Sequence, residues 1–134
     1  MAIQLSDLVR NGRLDAIETV IGATAKMGIR SGAQPANCAA ADAGDLIATL
    51  TLPADWMDAA ASGDKDLLGS WTVAAGFAFT AGHFRIYAND GTTCGMQGSI
   101  TVTGGGGDLT LDDITIEVAQ TITVTAFTLT DGNP

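Results

Sequence analysis

The sequence predicts a mainly β protein: a β-sandwich or jelly-roll-like antiparallel domain with one N-terminal α-helix. Three observations carry this. Residues 108–130 alternate apolar and polar positions almost without error, the period of two that a half-buried strand requires. In residues 83–88, Phe84, Ile86 and Ala88 alternate with His83, Arg85 and Tyr87, and Asn89-Asp90-Gly91 follows as a hairpin turn. The composition agrees: hydrophobic residues are 46% but aromatics only 5%, with 17 glycines. The core must therefore come from Ala, Val, Ile and Leu, and the chain must turn often.

The elements follow in order. Residues 6–21 form the one convincing helix, with Ser6 as N-cap, Asp7 in the first turn and Gly22 just past the end. Leu8, Leu14, Ile17 and Ile21, flanked by Val9 and Val20, are expected to make one apolar stripe. The helix is expected to pack on its own sheet, with subunit contact through Leu8, Leu14, Ile17 and Ile21 as the second option. Residues 25–103 supply the β core. Within it, residues 26–31 read as a short strand and 32–44 as a loop. In residues 45–52, Leu46, Ala48, Leu50 and Leu52 are expected inward, with Ile47, Thr49 and Thr51 outward. Pro53 stops that strand, and residues 53–63 read as a helical turn or two anchored by Trp56 and Met57. In residues 70–80, Trp71, Val73, Ala75, Phe77 and Phe79 share one phase, with Gly76 in the manner of a bulge.

Residues 104–107 are four glycines and read as a flexible joint. Residues 108–130 are then expected to form C-terminal β hairpins. Their apolar phase moves from Leu109 and Leu111 to Ile114, Ile116, Val118, Ile122 and Val124, then to Phe127 and Leu129. Each shift needs a turn or bulge, at Asp112-Asp113 and near Ala126, with Ala119-Gln120 a further turn. Seven or eight strands are expected across residues 1–134, a length that suits one domain.

The net charge is −9, and no Lys or Arg follows Arg85. Such a chain is repelled by phosphate backbones, so nucleic acid is disfavoured as a partner. No apolar run approaches the ~20 residues of a membrane helix, and no basic, apolar, small-residue leader is evident, so synthesis and use in a cytoplasm are expected. Cys38 and Cys94 match no metal spacing. Two buried thiols are one reading; a disulfide tying the Cys38 loop to the central hairpin is the other.

No catalytic constellation emerges, and no cofactor or metal is expected. His83, Arg85 and Tyr87 on one strand face read as a solvated face. Asp108, Asp112, Asp113 and Glu117 lack the spacing of a calcium loop. The four glycines precede no helix and no Lys, so they are not a phosphate cradle. Trp56 reads as a core anchor in preference to a platform for a sugar.

Several segments resemble small virion proteins of tailed bacteriophages and prophages. They are Leu14-Asp-Ala-Ile-Glu18, Pro35-Ala-Asn-Cys-Ala-Ala-Ala-Asp42, Ala48-Thr-Leu-Thr-Leu-Pro53, Ala81-Gly-His-Phe-Arg-Ile-Tyr87 with Gly91-Thr-Thr-Cys94, and the tail from Gly104 to Thr130. The resemblance implies a non-enzymatic structural component, made in the bacterial host cytoplasm and carried in the virion. Capsid decoration, a head or collar fibre base and a tail component stay open, and the resemblance transfers no functional residue. A homo-oligomer, with a trimer favoured, is the expected assembly, and major capsid or tail proteins are the expected partners. A carbohydrate- or host-receptor-binding module is the alternative, supported if Trp56 or Tyr87 is exposed.

Overall fold

The computed structural model describes residues 2–133; Met1 and Pro134, the two ends of the expected domain span, lie outside the described residues. The element order is α1 (Asp7–Ile21), β1 (Lys26–Ser31), β2 (Leu46–Thr51), β3 (Asp64–Asp66), β4 (Trp71–Ala74), β5 (Phe79–Tyr87), β6 (Cys94–Val102), β7 (Leu109–Leu111), β8 (Thr115–Ile116), β9 (Thr121–Val124) and β10 (Thr128–Thr130). The chain is mainly β with one helix near its N-terminus and antiparallel-rich sheets, consistent with a β-sandwich-like domain.

The helix begins as the sequence predicts. Ser6 Oγ accepts the Val9 N–H, and the Gly22 N–H donates back to the Glu18 carbonyl at a residue with φ of +96°. No such turn forms at residues 53–63. That segment is extended and irregular, and it is pinned by Trp56 and Met57, which are both buried.

The main sheet runs β2-β1-β5-β6-β7, antiparallel except for its last pair. Its core face carries Met27, Ile29, Phe84, Ile86 and Ile100. Ile47 also enters the core: the β1–β2 register shifts beside it, so the expected outward position turns inward.

The second layer is assembled from strands distant in sequence. β4 pairs with β9 and β5 with β8, and the register is the same on both sides of the gap between them. They are therefore two parts of one ribbon, interrupted where Gly76 and Phe77 turn aside to donate to the Ile47 carbonyl. β10 pairs with β3. The expected C-terminal hairpins do not occur: β7 pairs parallel with β6, and β8, β9 and β10 each complete a ladder opened more than thirty residues earlier.

Four of the seven aromatics gather where the layers meet. Phe84 of the main sheet stands edge-on to Phe127 at 5.6 Å between centroids, Phe127 lies 5.5 Å from Trp71, and Trp71 lies 6.0 Å from Trp56. Such tilted contacts add to plain burial.

Residues 104–107 are not a flexible joint. The Gly105 N–H donates to the Val102 carbonyl at 2.8 Å and the Gly107 N–H to Thr101 Oγ1 at 3.0 Å. This tight loop returns the chain so that β7 runs parallel to β6, a connection that ordinarily takes a dozen residues or more. Asp108 secures it by accepting from both the backbone N–H and the hydroxyl of Ser99 at 2.8 Å.

Candidate functional site

Two surfaces set this chain apart from a plain sandwich: the outer face of the main sheet and the outer face of α1. The first carries His83, Arg85 and Tyr87. Sequence alternation places them outward correctly, but they are not solvated; their exposures are 0, 2 and 5%. The reason is residues 32–44, which cross this face as a strap. The face offers donors and the strap offers carbonyls. His83 Nδ1 donates to the Gly32 carbonyl, Gln97 Nε2 to that of Pro35, Arg85 to those of Cys38 and Ala40, and Arg30 to that of Gly44. Irregular backbone laid on a sheet must have its polar groups satisfied, and side chains of the sheet do it here. Gly82 permits the close approach: a Cβ there would stand 2.3 Å from the Gly32 carbonyl oxygen.

Asp42 is the strap's charged anchor. Its Oδ1 accepts from Arg85 Nη1 at 2.5 Å and from the Tyr87 hydroxyl at 2.6 Å, and its Oδ2 pairs with Arg30 at 2.9 Å. Partial burial works to raise its pKa, but the Tyr87 hydroxyl and the two guanidinium groups outweigh that and hold it below the usual value. Burial, then the hydrogen bond to Asp42, pushes Tyr87 up. The arrangement clamps the strap and presents no nucleophile beside a base.

The strap also carries Cys38 to Cys94. The two sulfurs stand 2.8 Å apart, both as free thiols and both half-buried. Burial, with the neighbouring Cys38 thiol, pushes Cys94 up to about 11.

The second surface is the helix. The single stripe expected from the sequence is in fact two. Leu14 and Ile21 are buried and Ile17 is half-buried against the protein's own core, so this stripe packs chiefly on its own domain; of the four named interface candidates only Leu8 is fully exposed, at 82%. Beside it, Val9, Gly12, Ala16, Thr19 and Val20 are exposed, and Val20 reaches 83%. Arg10, Asp15 and Glu18 make inward contacts, whereas the Asp7 and Arg13 side chains stay 66% and 62% exposed. Arg10 Nε donates to the Asp131 carbonyl at 2.5 Å. Lys65, 3% exposed, pairs with Asp15 at 2.8 Å and Glu18 at 3.0 Å. Glu18 also accepts the backbone N–H groups of Trp56 and Met57, and Asp15 that of Ala60. Burial alone would lower the Lys65 pKa, but its two carboxylates raise it above the usual value; the Lys65 bond, then the Ala60 N–H, lowers Asp15.

An exposed helix normally turns its charges to water and its apolar side to the core. α1 uses Arg10, Asp15 and Glu18 as docking groups and leaves the centre of its outer face uncharged, with Arg13 at its edge. Periodicity could not reveal this, because the inward partners lie 38 to 121 residues away. Phe77, Phe79 and Val118 add exposed apolar side chains at the interruption of the ribbon, where period two predicts burial for Phe77 and Phe79.

The remaining candidates are structural. Trp56 and Tyr87, the rings a sugar would need, are both buried. Asp108 binds Ser99 and Asp113 accepts the Thr115 N–H. Among the described residues no group of three or more His, Cys, Asp or Glu could hold a metal ion, and no helix is long and apolar enough to cross a membrane. The chain matches no known protein family, no curated protein and no solved structure.

Proposed function

We propose that this protein is a non-enzymatic structural component of a tailed-phage virion, a capsid-decoration or head-fibre-type protein that assembles as a homo-oligomer, with a trimer favoured. A tail component is the neighbouring reading and would use the same surface. The observation that carries the assembly is the outer face of α1, where Leu8, Val9, Gly12, Ala16, Thr19 and Val20 are exposed and carry no charge. The occupant we assign is a second copy of the chain. At a net charge of −9, two copies repel over most of their surfaces, whereas the centre of this face carries no charge and only the part-exposed Arg13 and Asp15 stand at its margins. Gly12, Ala16 and Thr19 keep the face low enough for helix backbones from three copies to approach closely about a three-fold axis, and that closed symmetry then limits the assembly.

Light scattering on the purified protein, beside Ala16→Glu and Val20→Glu, tests the assembly. Both positions are exposed, so the variants keep the fold, which circular dichroism checks. The wild type is expected as a trimer or another closed ring, and the variants as monomers. A wild type that stays monomeric at every concentration overturns the homo-oligomer. Mass spectrometry of gradient-purified particles from the phage that encodes the chain tests the virion role, and absence from those particles overturns it.

A further inference from the structure

We propose that Cys38 and Cys94 are a modification site, an intrachain disulfide that locks the strap of residues 32–44 over the polar face of the main sheet once the protein meets an oxidant. The inference does not depend on where the protein assembles. It rests on three features. The sulfurs are already 2.8 Å apart, closer than two thiols ordinarily pack and reached without moving either element. The neighbours on both sides hold that approach: Arg85 Nη2 donates to the carbonyl of Cys38 itself at 2.8 Å, and Tyr87, the β5 partner of Cys94, donates to Asp42 on the same strap. Both thiols are half-buried, so a small oxidant can reach them, as it could not reach inert core cysteines.

The chemistry balances with a disulfide oxidant such as oxidised glutathione. One protein thiolate attacks the oxidant, breaks its S–S bond and expels one glutathione thiolate, leaving a mixed disulfide. The second protein thiol gives its proton to solvent base and attacks the protein sulfur of that mixed disulfide. The new Cys38–Cys94 bond forms as the second glutathione thiolate leaves. Two protein thiols are oxidised and one oxidised glutathione is reduced to two glutathiones. Burial holds Cys94 protonated at neutral pH, so exchange is slow there and faster in alkali.

The bond closes a loop between positions 56 apart and removes freedom from the unfolded chain as well as from the strap. The test treats the reduced full chain with oxidised glutathione, blocks remaining thiols with iodoacetamide and measures intact mass under denaturing conditions. A monomer lighter by two hydrogens, with no alkyl group, is expected. Its thermal midpoint should rise by on the order of 10 °C, and dithiothreitol should reverse the change. Cys38→Ser and Cys94→Ser should each abolish the rise, and the remaining thiol should stay alkylatable or carry one glutathione. Two alkyl groups, two bound glutathiones or an interchain dimer in the oxidised wild type would overturn the proposal. A variant that fails to fold does not rescue it, because the mass of the wild type decides.

Discussion

Arg85 and Asp42 meet at 2.5 Å across 43 residues of chain, one on the central strand and the other on the strap that covers it. Arg85 is 2% exposed, whereas the Asp42 side chain keeps 41%, so the pair is asymmetric. Removing the carboxylate leaves a buried guanidinium held by two neutral carbonyls. Asp42→Ala is expected to destabilise by about 3 kcal/mol, the lower end for breaking a buried pair, because the Asp42 side of the pair is 41% exposed and solvent can reach the vacated site. Denaturation by urea measures the cost. Limited proteolysis gives a second readout: cleavage should appear first in residues 32–44.

Lys65 joins the helix to β3 through Asp15 and Glu18. Lys65→Met keeps the apolar stem but leaves two carboxylates facing each other. Asp15 is half-exposed and regains water, so the expected cost is about 2 kcal/mol, short of the 3–5 kcal/mol for a wholly buried charge. Glu18→Ala strands the N–H groups of Trp56 and Met57 and should cost at least as much. Helical circular dichroism during unfolding should report loosening of α1 before loss of the β signal.

These shifts set a pH dependence. The folded-state values of Asp15, Asp42 and Asp108 lie below their usual one, and Asp90, held by the Thr93 hydroxyl and the backbone N–H groups of Thr93 and Thr92, is lowered to about 2. A depressed carboxyl contributes stability that is present above the unfolded value of about 3.9 and is lost as pH falls through the folded one. Lys65 is raised, so its contribution is present below about 10.4 and lost as pH climbs past that. Cys94, raised to about 11, likewise loses its contribution as pH climbs past the usual thiol value of about 8.5, so the urea midpoint should be nearly flat from about pH 5 to 8 and fall at both ends. Asp108→Asn should flatten the acid limb. An unchanged acid limb would mean that the Ser99 bonds do not hold the loop in solution.

Local pattern carried the helix ends, most strand positions and the phases of the tail, because capping and alternation act within a few residues. What it could not carry was pairing. Thr121 to Val124 look the same whether they fold back on the tail or join Trp71 to Ala74, and only the assembled core selects the second. The same limit hid the burial of His83, Arg85 and Tyr87: alternation gives the face a side chain takes, and the strap that covers this face begins 51 residues before His83. It also hid the two-sided helix, since whether Glu18 meets water or Lys65 depends on a residue 47 positions away.

Gly95 shows how tightly α1 is seated. A Cβ at this position would stand 2.5 Å from Ile21 Cγ1 and 2.8 Å from its Cδ1. Gly95→Ala should cost about 1–3 kcal/mol as overpacking, and Ile21→Ala alone about 2–5 kcal/mol as a cavity. In the double variant the new methyl fills part of that cavity, so the two costs should fall short of additivity by about 1 kcal/mol or more. Strict additivity in urea denaturation would place the end of the helix away from β6.

The four glycines after β6 offer a test by sign. In an unstructured joint, Gly→Ala is neutral or stabilises by about 0.4–1 kcal/mol, because alanine restricts the unfolded chain. In the folded loop Gly104 and Gly106 have φ of +86° and +81°, where an L side chain costs about 1 kcal/mol or more. At Gly107 a Cβ would stand 2.9 Å from both the backbone nitrogen and Oγ1 of Thr101, and the nitrogen cannot move without opening the β6–β7 ladder. Gly106→Ala should therefore lower the thermal midpoint by a few degrees and Gly107→Ala by more. The second variant should also expose Leu109 and Leu111, which amide hydrogen exchange in β7 reads directly. Stabilisation by either alanine would return residues 104–107 to the status of a linker and leave the parallel pairing of β7 without its cause.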